Sequence, residues 1–373
     1  MSGALPEGPV WALGMMSGTS LDGVDAALIE TDGVAVSGFG PWRTTPYSDD
    51  LRERLRAVIE ERGVREDAER ALTAFHAEVA EVLLAEAGVR REEVAVAGFP
   101  GHTVRHEPEF GRTDQISDGA ALARRLGIDV VNDFRSNDVR AGGQGAPLVP
   151  LFHAALARRS GLAAPLAVLN LGGVANVTWI GGPDDQDLLA FDTGPGCALI
   201  DDWVRQKTEA AFDRDGRLAR SGTADRAALD ALLAQPYFDA KPPKSLDRNA
   251  FDPAPVGVLS AGDGAATLVA FTAEAVRRAL AHMPAAPLRW LVSGGGRHNP
   301  ALMAALAERL GAPCDAVESV GWQGDALEAQ AFGYLAVRSH RGLALSLPRT
   351  TGVPHPVSGG VFHPAPRRSS GAV

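Results

Sequence analysis

Residues 13–25 read Leu13-Gly14-Met15-Met16-Ser17-Gly18-Thr19-Ser20-Leu21-Asp22-Gly23-Val24-Asp25, and the reading of this stretch decides the fold. An apolar, strand-like run (Val10, Trp11, Ala12, Leu13) enters a turn of small and hydroxylated residues, and a second apolar run at 24–29 leaves it. Gly14, Gly18 and Gly23 have no Cβ, so the backbone can take left-handed conformations and lie close to a ligand. Ser17, Thr19 and Ser20 add hydroxyls, and Asp22 and Asp25 add carboxylates. Successive amides in such a turn make an anion cradle, and a nearby carboxylate can hold Mg²⁺ through water. The competing reading is a Gly-rich β-hairpin with a solvated polar tip. The turn by itself favours the hairpin, and only the rest of the chain can reverse that.

Downstream, residues 34–39 read as a third short strand. Two amphipathic helices follow. Residues 49–61 place Leu51, Leu55, Val58 and Ile59 on one stripe, and residues 66–87 do the same with Leu72, Phe75, Val79, Val82 and Leu83. Strands at 94–98 and 128–131 flank a helix at 120–126. Strands first, then alternating helix and strand, indicate an α/β layer structure with a mixed sheet.

The polar, Gly- and Pro-rich segment 133–150 marks an inter-domain hinge, after which the opening order returns. An apolar run at 166–171, a turn at Gly172-Gly173, a run at 174–180, a turn at 181–187 and a strand at 188–191 repeat strand, Gly turn, strand, turn, strand. Two domains built on one unit would set their Gly turns face to face across a cleft. The expected division is 1–135 plus about 342–367 for one domain and 136–341 for the other. Later segments read as helices at 199–209, 226–233 and 265–281, a buried strand at 290–293, and a helix from Pro300 capped by Asn299. A last helix spans 325–341, and the small-residue tail 369–373 is expected to be loose.

With 373 residues, the chain suffices for about two cores. Its net charge of −10 argues against a general nucleic-acid or anionic-membrane binder, which needs a basic field. The two cysteines, Cys197 and Cys314, allow at most one disulfide and no zinc framework. No basic-then-apolar leader opens the chain, and no apolar run approaches the roughly 20 residues that span a bilayer. A soluble, cytoplasmic protein is expected.

Chemistry is expected at strand ends. Phe191-Asp192-Thr193-Gly194-Pro195-Gly196 offers a carboxylate for general-base work, or merely a helix cap in a tight turn. Ser293-Gly294-Gly295-Gly296-Arg297-His298-Asn299 admits a flat ligand against a triglycine before a helix N-terminus, or is simply a permissive turn. Residues 142–147 are either hinge or substrate loop. The P-loop, GxGxxG, HExxH, GxSxG and protein-kinase signatures are absent. Three Gly-rich strand ends, two of them in repeated units, favour a nucleotide held between domains. His102 and His106 flank a non-helical stretch and suit a surface or substrate loop better than a metal site. Arg135 and Arg140 suit phosphate, a sugar carboxylate or plain solvation equally. The basic segment 241–245 reads as a plain loop, with a phosphate-facing loop as the alternative, and Cys197 as packing.

Taken together, MSGTSLDGVD (16–25), DFRSNDVRAGGQGAPLVP (133–150), NLGGVANVT (170–178), FDTGPG (191–196), SGGGRHNPALM (293–303) and EAQAFGYLA (328–336) resemble the 1,6-anhydro-N-acetylmuramic acid kinases. That resemblance covers most of the chain. It implies the actin-like ATPase and sugar-kinase superfamily, with two ribonuclease-H-like (actin/hexokinase-type) domains and mixed sheets around a cleft closing over MgATP. It further implies phosphorylation of the 6-oxygen of anhydro-N-acetylmuramic acid while water opens the 1,6-anhydro ring, in peptidoglycan recycling. By the same resemblance, Gly18, Thr19, Ser20, Leu21, Asp22, Gly23, Val24 and Asp25 bind ATP phosphates and Mg²⁺. Asp192 deprotonates the attacking water, Glu328 contacts the sugar, Gly194 lines the cofactor side, and Gly294, Gly295 and Gly296 border the adenosine. A homodimer is implied at that level alone. The metal-linked carboxylate is either Asp22 or Asp25.

Three stretches depart from the family pattern. Phe99-Pro100-Gly101-His102-Thr103 stands for SHGQT, Cys197 for the Asn after GPG, and Pro243-Lys244-Ser245-Leu246-Asp247-Arg248-Asn249 for PKSTGRE. These loops are expected near the sugar. They keep open a kinase for another amino sugar or muramyl fragment, and a non-catalytic ATP-dependent sensor of wall fragments.

Overall fold

The first unit's strands are β1 (Val10–Met16), β2 (Gly23–Thr31), β3 (Val36–Pro46), β4 (Val94–Gly98), β5 (His102–Glu107), β6 (Arg112–Ile116) and β7 (Val130–Asn132). The second unit's are β8 (Leu166–Leu171), β9 (Val174–Ile180), β10 (Leu188–Pro195), β11 (Trp290–Ser293) and β12 (Cys314–Ala316), and β13 (Val361–His363) rejoins the first sheet. This computed structural model describes residues 5–18, 21–247 and 250–366. Thr19, Ser20, Arg248, Asn249 and the tail at 369–373 lie outside them.

Contacts divide the chain into 1–159 with 325–373, and 160–324. In the first unit, β1 pairs antiparallel with β2 and β2 with β3, while the other edge of β1 pairs parallel with β4 and β4 with β7. The second unit repeats this plan: β8 and β9, then β9 and β10, pair antiparallel, and β8, β11 and β12 are parallel. Each sheet is thus mixed, with a three-strand meander on one side and parallel strands on the other. The repeated order read from the two Gly turns is the order in which the strands lie.

The boundaries expected near 135 and 341 are displaced. Helices Pro150–Arg159 and Leu327–His340 both belong to the first unit, where the second packs on β1, β2 and β4. Pro150–Arg159 escaped the sequence reading for a physical reason. Residues 150–157 are all buried, so no polar stripe marks the helical period. The segment at 133–150 is inside the first unit and includes the short helix Ser136–Arg140.

Other elements fall where periodicity put them. Helix Asp49–Ile59 starts at Ser48, whose hydroxyl accepts from the Leu51 amide at 3.2 Å, with Asp49 and Asp50 at its positive end. Helix Pro300–Leu310 is capped by Asn299, whose side chain accepts from Ala301 and Leu302. Two stripe residues turn outward: Ile59 and Val82 are exposed. The strand expected at 34–39 runs on to Pro46. His102 and His106 lie on β5, paired with β6, rather than on a surface loop. Among the described residues, no helix is long and apolar enough to cross a membrane.

Candidate active site

The hairpin between β1 and β2 is built around Asp25. Register places Asp25 opposite Met16 on one side and Thr44 on the other. The Thr44 hydroxyl donates to Asp25 Oδ1 at 2.5 Å. Burial nevertheless dominates and pushes the Asp25 carboxyl up to about 6, with the negative charges of Asp22 and Asp325 adding to the rise. Asp22 is exposed at the tip, and its carbonyl accepts from the Tyr47 amide at 3.0 Å.

The turn itself is held by the main chain. The Leu21 amide donates to Gly18, Leu21 takes a left-handed φ of 57°, and the Arg52 Nε donates to the Leu21 carbonyl at 2.9 Å. The side chains of Leu21 and Val24 are buried in the first core, so only their main chain is available to a ligand. Ser17 is buried as well and donates to the Gly101 carbonyl. Among the described residues, no cluster of three or more His, Cys, Asp or Glu side chains is arranged to hold a metal.

The glycines of this stretch divide by role. A Cβ on Gly14 would stand 1.7 Å from the Ala329 carbonyl oxygen, and one on Gly98 would stand 2.1 Å from the Phe332 carbonyl oxygen. These two glycines let helix Leu327–His340 lie directly on β1 and β4. Gly23 is required by the opposing Thr45 backbone at 2.3 Å. Gly14 and Gly23 are therefore demanded by packing.

That helix carries Glu328 in its first turn. The Glu328 and Asp138 charges act on the half-buried Arg135, whose proton affinity burial lowers. Arg135 donates to the Gly145 carbonyl at 2.7 Å. Asp138 braces the same loop, accepting from the Gly145 amide and from the Thr351 hydroxyl, both at 2.6 Å. The loop at 142–147 is thus fixed to the first unit.

In the second unit, Asp192 sits on β10 at an irregularity in register between Asp192 and Gly194, the kind of bulge that re-aims a side chain. Its Oδ2 accepts from the Leu246 amide at 2.8 Å. Its own amide donates to the Lys244 carbonyl, and the Tyr237 hydroxyl donates to its carbonyl at 2.6 Å. Burial pushes the carboxyl up to about 7 against the lowering pull of the Leu246 amide and the Lys244 charge.

The turn at Gly172-Gly173 is not an open cradle. Its carbonyls accept from the amides of Gly196, Cys197 and Ala198, the last being the first residue of helix Ala198–Lys207. Gly194 is required because a Cβ would meet the Ala275 methyl at 2.7 Å. In the triglycine, Gly294 has φ +77° and packs on Asn170 and Leu171, and Gly296 packs on Leu171 and Cys197. A Cβ on Gly295 would meet nothing within 4 Å, so this position faces open space. The buried Arg297 fixes the turn through Glu318 and the Gly294 carbonyl. Burial pushes the Cys197 thiol up to about 12, so packing is its role.

Asp325 and Tyr237 have no role in the sequence reading, whereas the loop that carries Lys244 is among those expected near the sugar. Asp325 stands immediately before the EAQAF helix, and that position was the available signal. Tyr237 and Lys244 lie 45 and 52 positions from Asp192 in a Pro-punctuated segment, which carries no periodic signal at all.

The family model described as anhydro-N-acetylmuramic acid kinase matches residues 10–365. The anhydro-N-acetylmuramic acid kinase of Rhodospirillum rubrum is 60% identical over 364 residues, covering 96% of each chain. That of Paramagnetospirillum magneticum is 58% identical over 355 residues, covering 94% of this chain and 99% of its own. That of Rhizorhabdus wittichii is 53% identical over 361 residues, with 94% and 98% covered.

Proposed function

The chain belongs to the anhydro-N-acetylmuramic acid kinase family, and on that footing we propose how its residues divide the reaction. The protein is an ATP-dependent kinase of cell-wall recycling that converts 1,6-anhydro-N-acetylmuramic acid to N-acetylmuramic acid 6-phosphate. Water supplies the oxygen at the anomeric carbon. As that bond forms, the bond from the anomeric carbon to the 6-oxygen breaks, its electron pair stays on the 6-oxygen, and the 6-oxygen takes the γ-phosphoryl of ATP as the bond from that phosphorus to the β–γ bridging oxygen breaks and ADP leaves.

Asp192 is the base that accepts the water proton. The observation supporting this is its half-buried carboxylate, fixed by the Leu246 amide and tuned to about 7. With its carboxyl at about 7, Asp192 is about half ionised at pH 7 and more fully so above it, and general-base help contributes roughly 10²–10⁴ in rate. Glu328 contacts the sugar. The main chain at 18–25 receives the phosphates, and Gly295 borders the adenosine. Phosphoryl transfer asks mainly for positioning and charge neutralisation.

Asp25 is the better placed of the two carboxylates for Mg²⁺. It is half-buried beside like charges, where a cation offsets the cost of ionising it, whereas Asp22 is solvated at the tip. Bound Mg²⁺ would neutralise phosphate charge. The need for ATP makes the cytoplasm the natural compartment. A homodimer belongs to the same reading and is tested by light scattering.

The decisive experiment is incubation with MgATP and anhydro-N-acetylmuramic acid in ¹⁸O-water. A 6-phosphate carrying ¹⁸O at the anomeric carbon is expected. Turnover of a different amino sugar with none of this one would overturn the substrate assignment, and product without ¹⁸O would overturn the hydrolytic step.

A further inference from the structure

Asp192 is enclosed by a segment far from it in sequence. The Leu246 amide holds Oδ2 at 2.8 Å, the Lys244 carbonyl accepts from the Asp192 amide at 3.0 Å, and the Tyr237 hydroxyl holds the Asp192 carbonyl at 2.6 Å. The segment is closed on itself, because Lys244 Nζ donates to the Tyr237 carbonyl at 2.9 Å. The ammonium lies 4.4 Å from the Tyr237 ring centroid and 5.7 Å from that of Phe191, the residue before Asp192. Next to Tyr237, Phe238 anchors the strap in the second core, stacked on Phe251 and edge-on to Phe271.

A lysine tied down in this way is not a solvated surface charge. Its ammonium is half-buried, uses one donor on a main-chain carbonyl, and stands among aromatic faces whose quadrupoles favour a cation. Cation, ring and main chain thereby form one unit beside Asp192, with the Leu246 amide on its carboxylate. The simpler reading, a basic Pro-rich loop in solvent, accounts for none of these contacts.

We infer that Lys244 and Tyr237 are positioning residues for Asp192: the strap at 237–246 sets the direction of its carboxylate, and the Lys244 ammonium sets the pH at which it works. The inference rests on the assignment of Asp192 as the base. The titratable groups that act on Asp192 among the described residues are Lys244 and Tyr237. Those acting on Lys244 are Asp239 and Asp192. His282 lies one ring away, edge-on to Phe191. Tyr237 stays neutral across the working range because burial raises its hydroxyl. Lys244, lowered by burial to about 8, is largely protonated at neutral pH. It is therefore the one cation acting on Asp192 near neutrality among these groups.

A cation stabilises the carboxylate, so removing it raises the proton affinity of Asp192 and moves the acidic limb of kcat/KM to higher pH. Each unit of that displacement is a roughly tenfold loss on the limb, with recovery at alkaline pH. A residue of merely structural importance would instead lower activity equally at every pH.

The test is the pH profile of kcat/KM for the full-length wild type, Lys244→Met, Lys244→Arg, Tyr237→Phe and Asp192→Asn, with thermal melts and ATP affinity alongside. Lys244→Met is expected to shift the limb upward and Lys244→Arg to restore it. Tyr237→Phe is expected to lower kcat with little change in KM. An unmoved limb in Lys244→Met, with Asp192→Asn inactive and both variants folded, overturns the role of Lys244 and leaves the base assignment standing. Retained activity in Asp192→Asn overturns the base assignment itself. Should Lys244→Met melt early, the comparison of Lys244→Arg with Tyr237→Phe still decides. Equal, pH-independent losses in that pair would overturn the inference.

Discussion

Gly14 touches Ala329: a Cβ at residue 14 would stand 1.7 Å from the Ala329 carbonyl oxygen and 2.5 Å from the Gly333 amide nitrogen. Both opposing atoms are helix backbone and cannot swing aside, so the sheet and helix Leu327–His340 meet as main chain against main chain. The contact sets the seat of the helix whose first turn carries Glu328.

Gly14→Ala is therefore expected to destabilise the protein strongly, by about 3 kcal/mol or more, at or above the upper end for overpacked cores. Denaturant unfolding measures it. Gly295→Ala, with nothing within 4 Å of its new methyl, should leave the unfolding midpoint almost unmoved and raise the KM for ATP. A stable Gly14→Ala protein would show that the helix seats differently.

Asp192→Asn keeps the shape of the side chain and removes its basicity. Turnover is expected to fall by roughly 10²–10⁴, while ATP binding measured by calorimetry stays within about twofold. Equal loss of nucleotide affinity would contradict a role confined to the proton.

The pH profile of the unaltered enzyme follows from the raised carboxyl. The working form is the carboxylate, so kcat/KM should climb with pH and level off above about 7, falling tenfold per unit on the acid side. A profile flat from pH 5 to 8 would remove Asp192 from the rate equation.

Acid stability depends on different groups. Burial pushes the His76 and His102 rings down to about 4, so the fold holds them neutral. The folded values lie below the unfolded value of about 6.5, so their contribution is complete above that pH. It is lost as pH falls from 6.5 toward 4. Both His102 nitrogens are buried without a protein partner. His102→Gln, neutral throughout, should flatten the fall of the urea midpoint over this window. An unchanged slope would assign the acid sensitivity elsewhere.

Much of the fold was legible because it obeys short-range rules. The two meanders announced themselves as apolar runs around Gly turns, and the cap at Asn299 followed from a side-chain oxygen placed before Pro300 and a periodic helix. Helix Pro150–Arg159 left no such mark, since burial on all sides erases the amphipathic period. The two histidines of β5 misled for a related reason: a short strand of mixed polarity beside Gly101 and Pro108 looks like a loop until its partner β6 is known.

The sequence by itself determined the family, the repeated α/β plan, and Asp192 and the hairpin at 18–25 as candidate chemistry. Those are properties of local pattern and motif order. Only the tertiary structure decided what the neighbours of these residues are. It assigned Gly14 and Gly23 to packing, left Asp25 half-buried and Asp22 exposed at the tip, and brought Tyr237, Lys244 and Leu246 around Asp192. The physical reason is that proton affinity and steric demand depend on what lies within a few ångströms in space. A separation of 54 positions between Asp192 and Leu246 leaves no trace of that proximity along the chain.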